Sequence, residues 1–303
     1  MSEEYLTVLV TGGAGFIGSH LVETLLGEGH KVRIVGRPSA KLDINLVHVH
    51  GHKNLQIDQR DLLSIQVGDD IFKGVDVVFH LASYTDHMLS QQKPEMFINT
   101  NIQILTRILE EARISGFRII YTSSASVYGK AKWPTNEKQP AQPINGYGLS
   151  KWIGELLLQH WNKFYGIPFL SFRIFNGYGL RSSESGVFGI FLKNIIEGKP
   201  IPITGDGSAK RDFIYVDDIV DALICGASSE KSGIVYNVGT GVLRTVKELA
   251  TLLGGEIKYI PPRSEEPPVY CADISRIQND LGWSPKISLE EGVRKTLQGV
   301  TYE

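Results

Sequence analysis

Three side chains in this sequence have the types and spacing for proton chemistry on an alcohol: Ser124, Tyr147 and Lys151. Tyr147 and Lys151 stand four residues apart, so on a helix they share one face, and they open the helical pattern Trp152 to Leu158. A free phenol, with a pKa of about 10, is too weak an acid to serve as a base at neutral pH unaided. A nearby ammonium favours the phenolate and helps bring it into range. Ser124 lies in the run Thr122 to Gly129, where its hydroxyl can hold a substrate oxygen. Serines there can also simply satisfy free backbone groups in a turn. Tyr128 and Lys132 repeat the spacing, but they sit among Gly129 and Pro134 with no helix to align them.

Hydride chemistry beside that phenol needs a dinucleotide, and the chain opens on a place to hold one. Leu6, Val8 and Val10 make a strand-length apolar run bounded by Gly12-Gly13. Gly12, Gly15 and Gly18 then recur every third residue, where a missing Cβ lets the backbone turn, approach a pyrophosphate and pack helix on strand. Phe16, Ile17, Leu21, Val22, Leu25 and Leu26 give the next helix an apolar stripe, Gly27 and Gly29 stop it, and Lys31 to Val35 supply a second strand. The helix start aims free N–H groups at the pyrophosphate, which puts Gly12, Gly15, Phe16, Ile17 and Gly18 at the cofactor. A glycine triplet alone is weak; the strand, loop, helix and strand around it make it specific.

Arg37 follows the second strand, where an NAD site normally carries an acidic residue for the ribose hydroxyls. Its guanidinium suits a 2′-phosphate, so the sequence leans toward NADP over NAD. The alternative is an exposed loop arginine, with Asp58 or backbone groups holding the adenosine of NAD. A third strand is expected at Asn54 to Ile57, ending at Asp58, and a fourth at Val75 to Phe79, running into His80-Leu81-Ala82-Ser83. That end falls on the carboxyl edge of a parallel sheet, where ligands bind, so Leu81 and Ala82 are assigned to the cofactor and Ser83 to the substrate. His80 reads as a hydrogen-bonded structural residue. His48, His50 and His52 alternate like ligands on a strand, yet lack a carboxylate or cysteine at ligand spacing; a polar strand or loop is the plainer reading, with no metal. A helical pattern from Phe97 to Leu109 precedes a strand at Arg118 to Tyr121.

Composition narrows the classes further. A net charge of −2 provides no global basic field for nucleic acid or an acidic membrane surface. Cys225 and Cys271 are too few for a disulfide framework and read as small buried hydrophobes. No apolar run approaches the about 18 residues of a membrane span. The start, MSEEYLTVLV, is acidic and enters the first strand at once, unlike a signal or transit peptide, so a cytoplasmic protein is expected. No Gly-x-Ser-x-Gly elbow marks a serine hydrolase.

The segments TGGAGFIGSHL, VVFHLAS, YTSSASVYG, YGLSK, FRIFNGYG, RDFIYVDDI, YNVGTG and LGWSPK, in that order, resemble the extended short-chain dehydrogenase/reductase family, in particular its nucleotide-sugar epimerases and dehydratases. The likeness spans nearly the whole chain. It implies that Gly12, Gly15 and Gly18 hold the pyrophosphate, Asp58 the adenine, and Ser124, Tyr147 and Lys151 the chemistry. It also implies that Asn176, Arg211 and Arg263 contact the diphosphate of a nucleoside-diphosphate sugar, and that the chain forms a homodimer through the Tyr147 helix and its neighbour. Three places depart from the pattern. Ala125 and Ser126 replace the acidic pair that dehydratases use to expel water, Gly36-Arg37 replaces the ribose-binding acid, and Gln59 stands where an aliphatic adenine contact is common.

The expected fold is α/β, a Rossmann doubly wound parallel sheet over residues 1–173 with a smaller substrate lobe over 174–303. The two are expected to interleave, with Lys210 to Ile224 and the strand Val235 to Val238 returning to the nucleotide domain. Gly186 to Thr204 and Glu256 to Pro285 are expected over the sugar, and Asp217-Asp218 as a helix cap. The expected function is an NDP-sugar epimerase acting at the 4-position through a keto intermediate. The alternative is an NADPH-dependent reductase of an NDP-4-keto-deoxysugar, which Arg37 favours. A cofactor-binding regulatory protein without turnover fits poorly with an intact Ser124, Tyr147 and Lys151.

Overall fold

The computed structural model describes residues 5–38, 40–184, 186–262, 269 and 271–300. The first half alternates strand and helix: β1 (Thr7–Thr11), α1 (Phe16–Gly27), β2 (Lys31–Val35), α2 (Ala40–Asn45), β3 (Leu55–Asp58), β4 (Val77–His80), α3 (His87–Gln92), α4 (Pro94–Ser115), β5 (Arg118–Ser124), α5 (Gly146–Tyr165) and β6 (Phe169–Ile174). The second half continues with β7 (Asn176–Tyr178), α6 (Val187–Ile196), β8 (Ile201–Thr204), β9 (Lys210–Tyr215), α7 (Val216–Ala227), β10 (Ile234–Val238), β11 (Leu243–Thr245), α8 (Val246–Leu253), β12 (Ile257–Ile260), α9 (Ser275–Leu281) and α10 (Leu289–Val300).

Seven strands form one parallel sheet in the order β3-β2-β1-β4-β5-β6-β10. Strand succession reverses between β1 and β4, which opens the crevice where doubly wound sheets bind ligands. Both faces are covered, as the continuous apolar strands require. Leu21, Leu25, Ile219 and Leu223 from α1 and α7 bury one face, and Leu105, Leu109 and Leu158 from α4 and α5 the other. Each such leucine removed from water contributes about 1.5–3 kcal/mol.

A smaller lobe holds the three-stranded sheet β11-β9-β7 and the parallel pair β12-β8. Phe188, Phe191, Ile201, Ile203, Phe213 and Leu249 are among its core. The strand Lys210–Tyr215 therefore lies in this small sheet and does not return to the large one; α7 and β10 do.

Several local expectations change for identifiable reasons. β5 runs through Ser124, so the first hydroxyls are strand residues paired with β6, and Ser124 also caps the following turn of 3₁₀ helix, Ala125–Val127, by accepting the Ser126 N–H. His48 falls in a turn of 3₁₀ helix, Val47–Val49, with its Nε2 2.7 Å from the Glu23 carboxylate. Asp217 and Asp218 do not cap α7, whose N-cap is Tyr215. Asp218 is buried and accepts the Lys286 and Ile287 N–H groups at 2.9 and 3.0 Å, while Asp217 pairs with Lys295 at 2.6 Å, so the two clasp the C-terminal segment. Cys271 is buried and Cys225 half-buried. Among the described residues, no helix is long and apolar enough to cross a membrane.

Candidate active site

The ends of β1 and β4 lie side by side, with Thr11 in register with His80. The Ala82 N–H donates to Thr11 Oγ1 at 3.2 Å, leaving the Thr11 hydroxyl to donate to His80 Nδ1 at 2.7 Å. Burial, helped by the Lys151 charge, lowers the His80 pKa to about 3 and keeps the ring a neutral acceptor. His80 thus braces the floor of the glycine loop.

Above it, Gly12 takes φ +73°, and a Cβ there would come within 2.8 Å of the Ala82 nitrogen. A Cβ on Gly18 would overlap the Gly12 carbonyl. The loop is thus closed to side chains and presents backbone, as a pyrophosphate cradle requires. Gly15 is the N-cap of α1 with no side-chain partner, so the N–H groups of Phe16, Ile17 and Gly18 are free of intrahelical bonds. The Phe16 and Ile17 side chains pack toward the smaller lobe.

The ends of β2 and β3, where the sequence places the adenosine, differ from a simple acidic pocket. Gly36 donates to the Asp58 carbonyl at 3.1 Å, placing Arg37 and Asp58 together. Arg60, on the same loop as the exposed Gln59, grips the Asp58 carboxylate at 2.5 Å and Asp69 at 2.8 Å. The Arg37 guanidinium meets Tyr84, 3.3 Å from its hydroxyl and 5.7 Å from its ring centre. Sequence reasoning missed the Arg60 clasp, although a base two residues past a strand-end acid was a visible signal.

Ser124, Tyr147 and Lys151 meet where the end of β5 faces the first turns of α5. Asn145 caps that helix by accepting the Gly148 N–H at 2.8 Å, and Gly166, at φ 70°, ends it. Tyr147 is 8% exposed and Lys151 3%. Lys151 Nζ donates to the Thr122 carbonyl at 2.8 Å and lies 5.9 Å from the Tyr147 ring centre. Burial lowers its pKa to about 7, with the Glu155 charge opposing. Burial also raises the Tyr147 pKa, partly offset by a hydrogen bond with Ser124. In the chain by itself the phenol is therefore pushed away from the phenolate, against the expectation from spacing, because desolvation outweighs the Ser124 hydrogen bond. Ser124 Oγ also reaches Ser126 Oγ at 3.1 Å and the Ser126 N–H at 3.1 Å. The decoy Tyr128 is buried elsewhere, donating to Asn237 at 2.6 Å.

The other predicted contacts are less gathered. Asn176 on β7 and Arg211 on β9 stand on paired strands; the Asn176 amide donates to the Asp212 carbonyl at 3.1 Å and Arg211 to the Lys210 carbonyl at 2.7 Å. Ser83 donates to the Tyr84 carbonyl at 3.0 Å, and Leu81 and Ala82 line the glycine loop. Arg263 lies outside the described residues.

Residues 8–239 match the profile of the NAD dependent epimerase/dehydratase family. The chain belongs to that family. A UDP-glucose 4-epimerase of Mycolicibacterium smegmatis is 34% identical over 307 residues, covering 97% of this chain and 98% of the relative. A Thermotoga maritima UDP-glucose 4-epimerase, solved with UDP-glucose, superposes with TM-score 0.90 at 33% identity over 98% of this chain and all of that one. A Bacillus cereus UDP-glucuronic acid 4-epimerase, solved with UDP-glucuronic acid and NAD, gives TM-score 0.90 at 28% identity over 98% and 99%. The bare glycine cradle and free helix N–H groups fit the dinucleotide of this NAD dependent epimerase/dehydratase family member.

Proposed function

We propose that the chain inverts the 4-position of a UDP-linked hexose, with NAD as resident cofactor. The observation that carries this reading is what surrounds Tyr147: one phenol, one ammonium and the Ser124 hydroxyl, with Ala125 and Ser126 where a dehydratase would place acids. Such a site can take one proton from an alcohol and return it, and holds no strand-end carboxylate to expel water. Bound NAD supplies the hydride acceptor and donor. Tyr147 removes the hydroxyl proton, Ser124 holds the oxygen, and Lys151 supports the phenolate from its seat on the Thr122 carbonyl. Gly12, Gly15 and Gly18 hold the pyrophosphate, and Asn176 and Arg211 serve the sugar nucleotide's diphosphate. Incubation with UDP-glucose tests this: UDP-galactose forms with no net change in reduced-nicotinamide absorbance, and stoichiometric consumption of NADPH instead would refute it.

Arg37 favours a second reading, an NADPH-dependent reductase of an NDP-4-keto-deoxysugar using the same three residues. Its guanidinium stands at the end of β2, and a 2′-phosphate would have to draw it from Tyr84. On that reading Arg37→Ala weakens NADP at least about tenfold relative to NAD, the scale of one lost charge-assisted bond. An unchanged ratio in a binding titration removes it.

The outer faces of α4 and α5 expose Ile114 at 64%, Leu156 at 45%, Phe164 at 61% and Tyr165 at 50%. We assign this patch to a homodimer contact. Light scattering is expected to give twice the chain mass of 33.6 kDa.

A further inference from the structure

One polar group beside Tyr147 remains unassigned. The ring of His87, first residue of α3, meets the Tyr147 ring edge-on, with centroids 5.0 Å apart at 64°. His87 is open to solvent, yet the surrounding protein lowers its pKa, with the Asp86 charge opposing. The ring thus touches Tyr147 while staying exposed, and its imidazole is neutral at neutral pH.

The start of α5 decides which nitrogen carries the proton. Asn145 Oδ1 is committed to capping, accepting the Gly148 N–H at 2.8 Å. Its amide nitrogen is thereby turned to His87 Nδ1, 3.3 Å away. Nδ1 must accept, so the proton sits on Nε2. Among the described residues, Nε2 has no hydrogen-bond partner. The residue that begins the Tyr147 helix thus also sets a single N–H donor on the ring that meets Tyr147.

We propose that His87 Nε2–H binds the hexose of the nucleotide sugar, at an oxygen on a carbon flanking the one whose hydroxyl gives its proton to Tyr147. This rests on the 4-epimerase reading. A neutral donor suits that reaction, because a keto sugar that must turn over needs contacts that break and re-form more readily than an ion pair.

Two substitutions separate donation from packing. His87→Phe keeps an aromatic edge against Tyr147 and removes the donor, whereas His87→Gln keeps an N–H near Nε2 and removes the ring. Calorimetric titration of the cofactor-loaded protein is expected to show His87→Phe binding UDP-glucose about tenfold more weakly, the scale of one lost hydrogen bond. UDP affinity stays unchanged, and His87→Gln recovers most of the loss. The inference is overturned if His87→Phe binds UDP-glucose as wild type does, if UDP and UDP-glucose weaken equally, or if His87→Gln is no better than His87→Phe. If wild type converts UDP-glucose and His87→Phe binds it normally, only this inference falls. A wild type without 4-epimerase turnover takes the proposed function down, and this inference with it.

Discussion

Tyr147→Phe is expected to lower kcat for UDP-glucose epimerisation by about 10³-fold, within the range that a positioned acid–base group supplies. That is about 4 kcal/mol of transition-state stabilisation. The substitution removes one oxygen from a buried ring and leaves the ring's contacts with His87 and Lys151 available. Cofactor content and UDP affinity should therefore hold while kcat falls. The size of the effect follows from the absence of a substitute. Ser124 is an alcohol that already bonds Ser126, and Lys151 is occupied with the Thr122 carbonyl. Equal rates for Tyr147→Phe and wild type would remove the catalytic assignment and leave a cofactor-binding protein.

Arg173→Met is expected to destabilise the chain by about 3–5 kcal/mol, read as a lowered urea midpoint. Arg173 on β6 stands in register with Ser123 on β5. It pairs with Glu155 on α5 at 2.6 Å, the two side chains being 8% and 2% exposed, and Ser123 donates to the same carboxylate at 2.6 Å. Burial works against the Arg173 charge, but the Glu155 bonds outweigh it and hold its pKa above the usual value. Removing the guanidinium strands a buried carboxylate one helical turn past Lys151. The double variant Arg173→Met with Glu155→Gln should be less destabilised than Arg173→Met, because no buried charge is left unpaired. A loss under about 1 kcal/mol for the single change would put the pair in the class of solvent-exposed bridges. The pair also pins α5 to the sheet, so Arg173→Met should depress activity through the position of Tyr147 and Lys151.

These two sites differ in how far they could be read in advance. Tyr147 and Lys151 were visible because four residues on a helix is a local relation, and the helix announces itself through Trp152 to Leu158. The Arg173–Glu155 pair was invisible, since nothing local ties a β6 residue to one on α5. The same holds for Asp217 and Asp218, whose first-turn position suggests a cap but whose carboxylates go to Lys295, Lys286 and Ile287, 68 to 78 residues away. β9 misled for a related reason: its residues are strand-like, and no local pattern says which sheet an apolar strand joins. Asp58 ends β3 beside Gly36, but its carboxylate is engaged by Arg60.

The sequence by itself determined the strand–glycine–helix opening, the order of the elements, the helix bearing Tyr147 and Lys151, and the likeness that places the chain in its family. Each depends on neighbours within a turn or a strand, where side-chain size and backbone freedom act directly. The tertiary structure alone decided the electrostatics and the aim of the polar groups. Desolvation raised the Tyr147 phenol and lowered the Lys151 ammonium, and Asn145 set the His87 proton across 58 residues of chain. Burial and long-range hydrogen bonds are properties of the packed chain, so no spacing in the sequence encodes them.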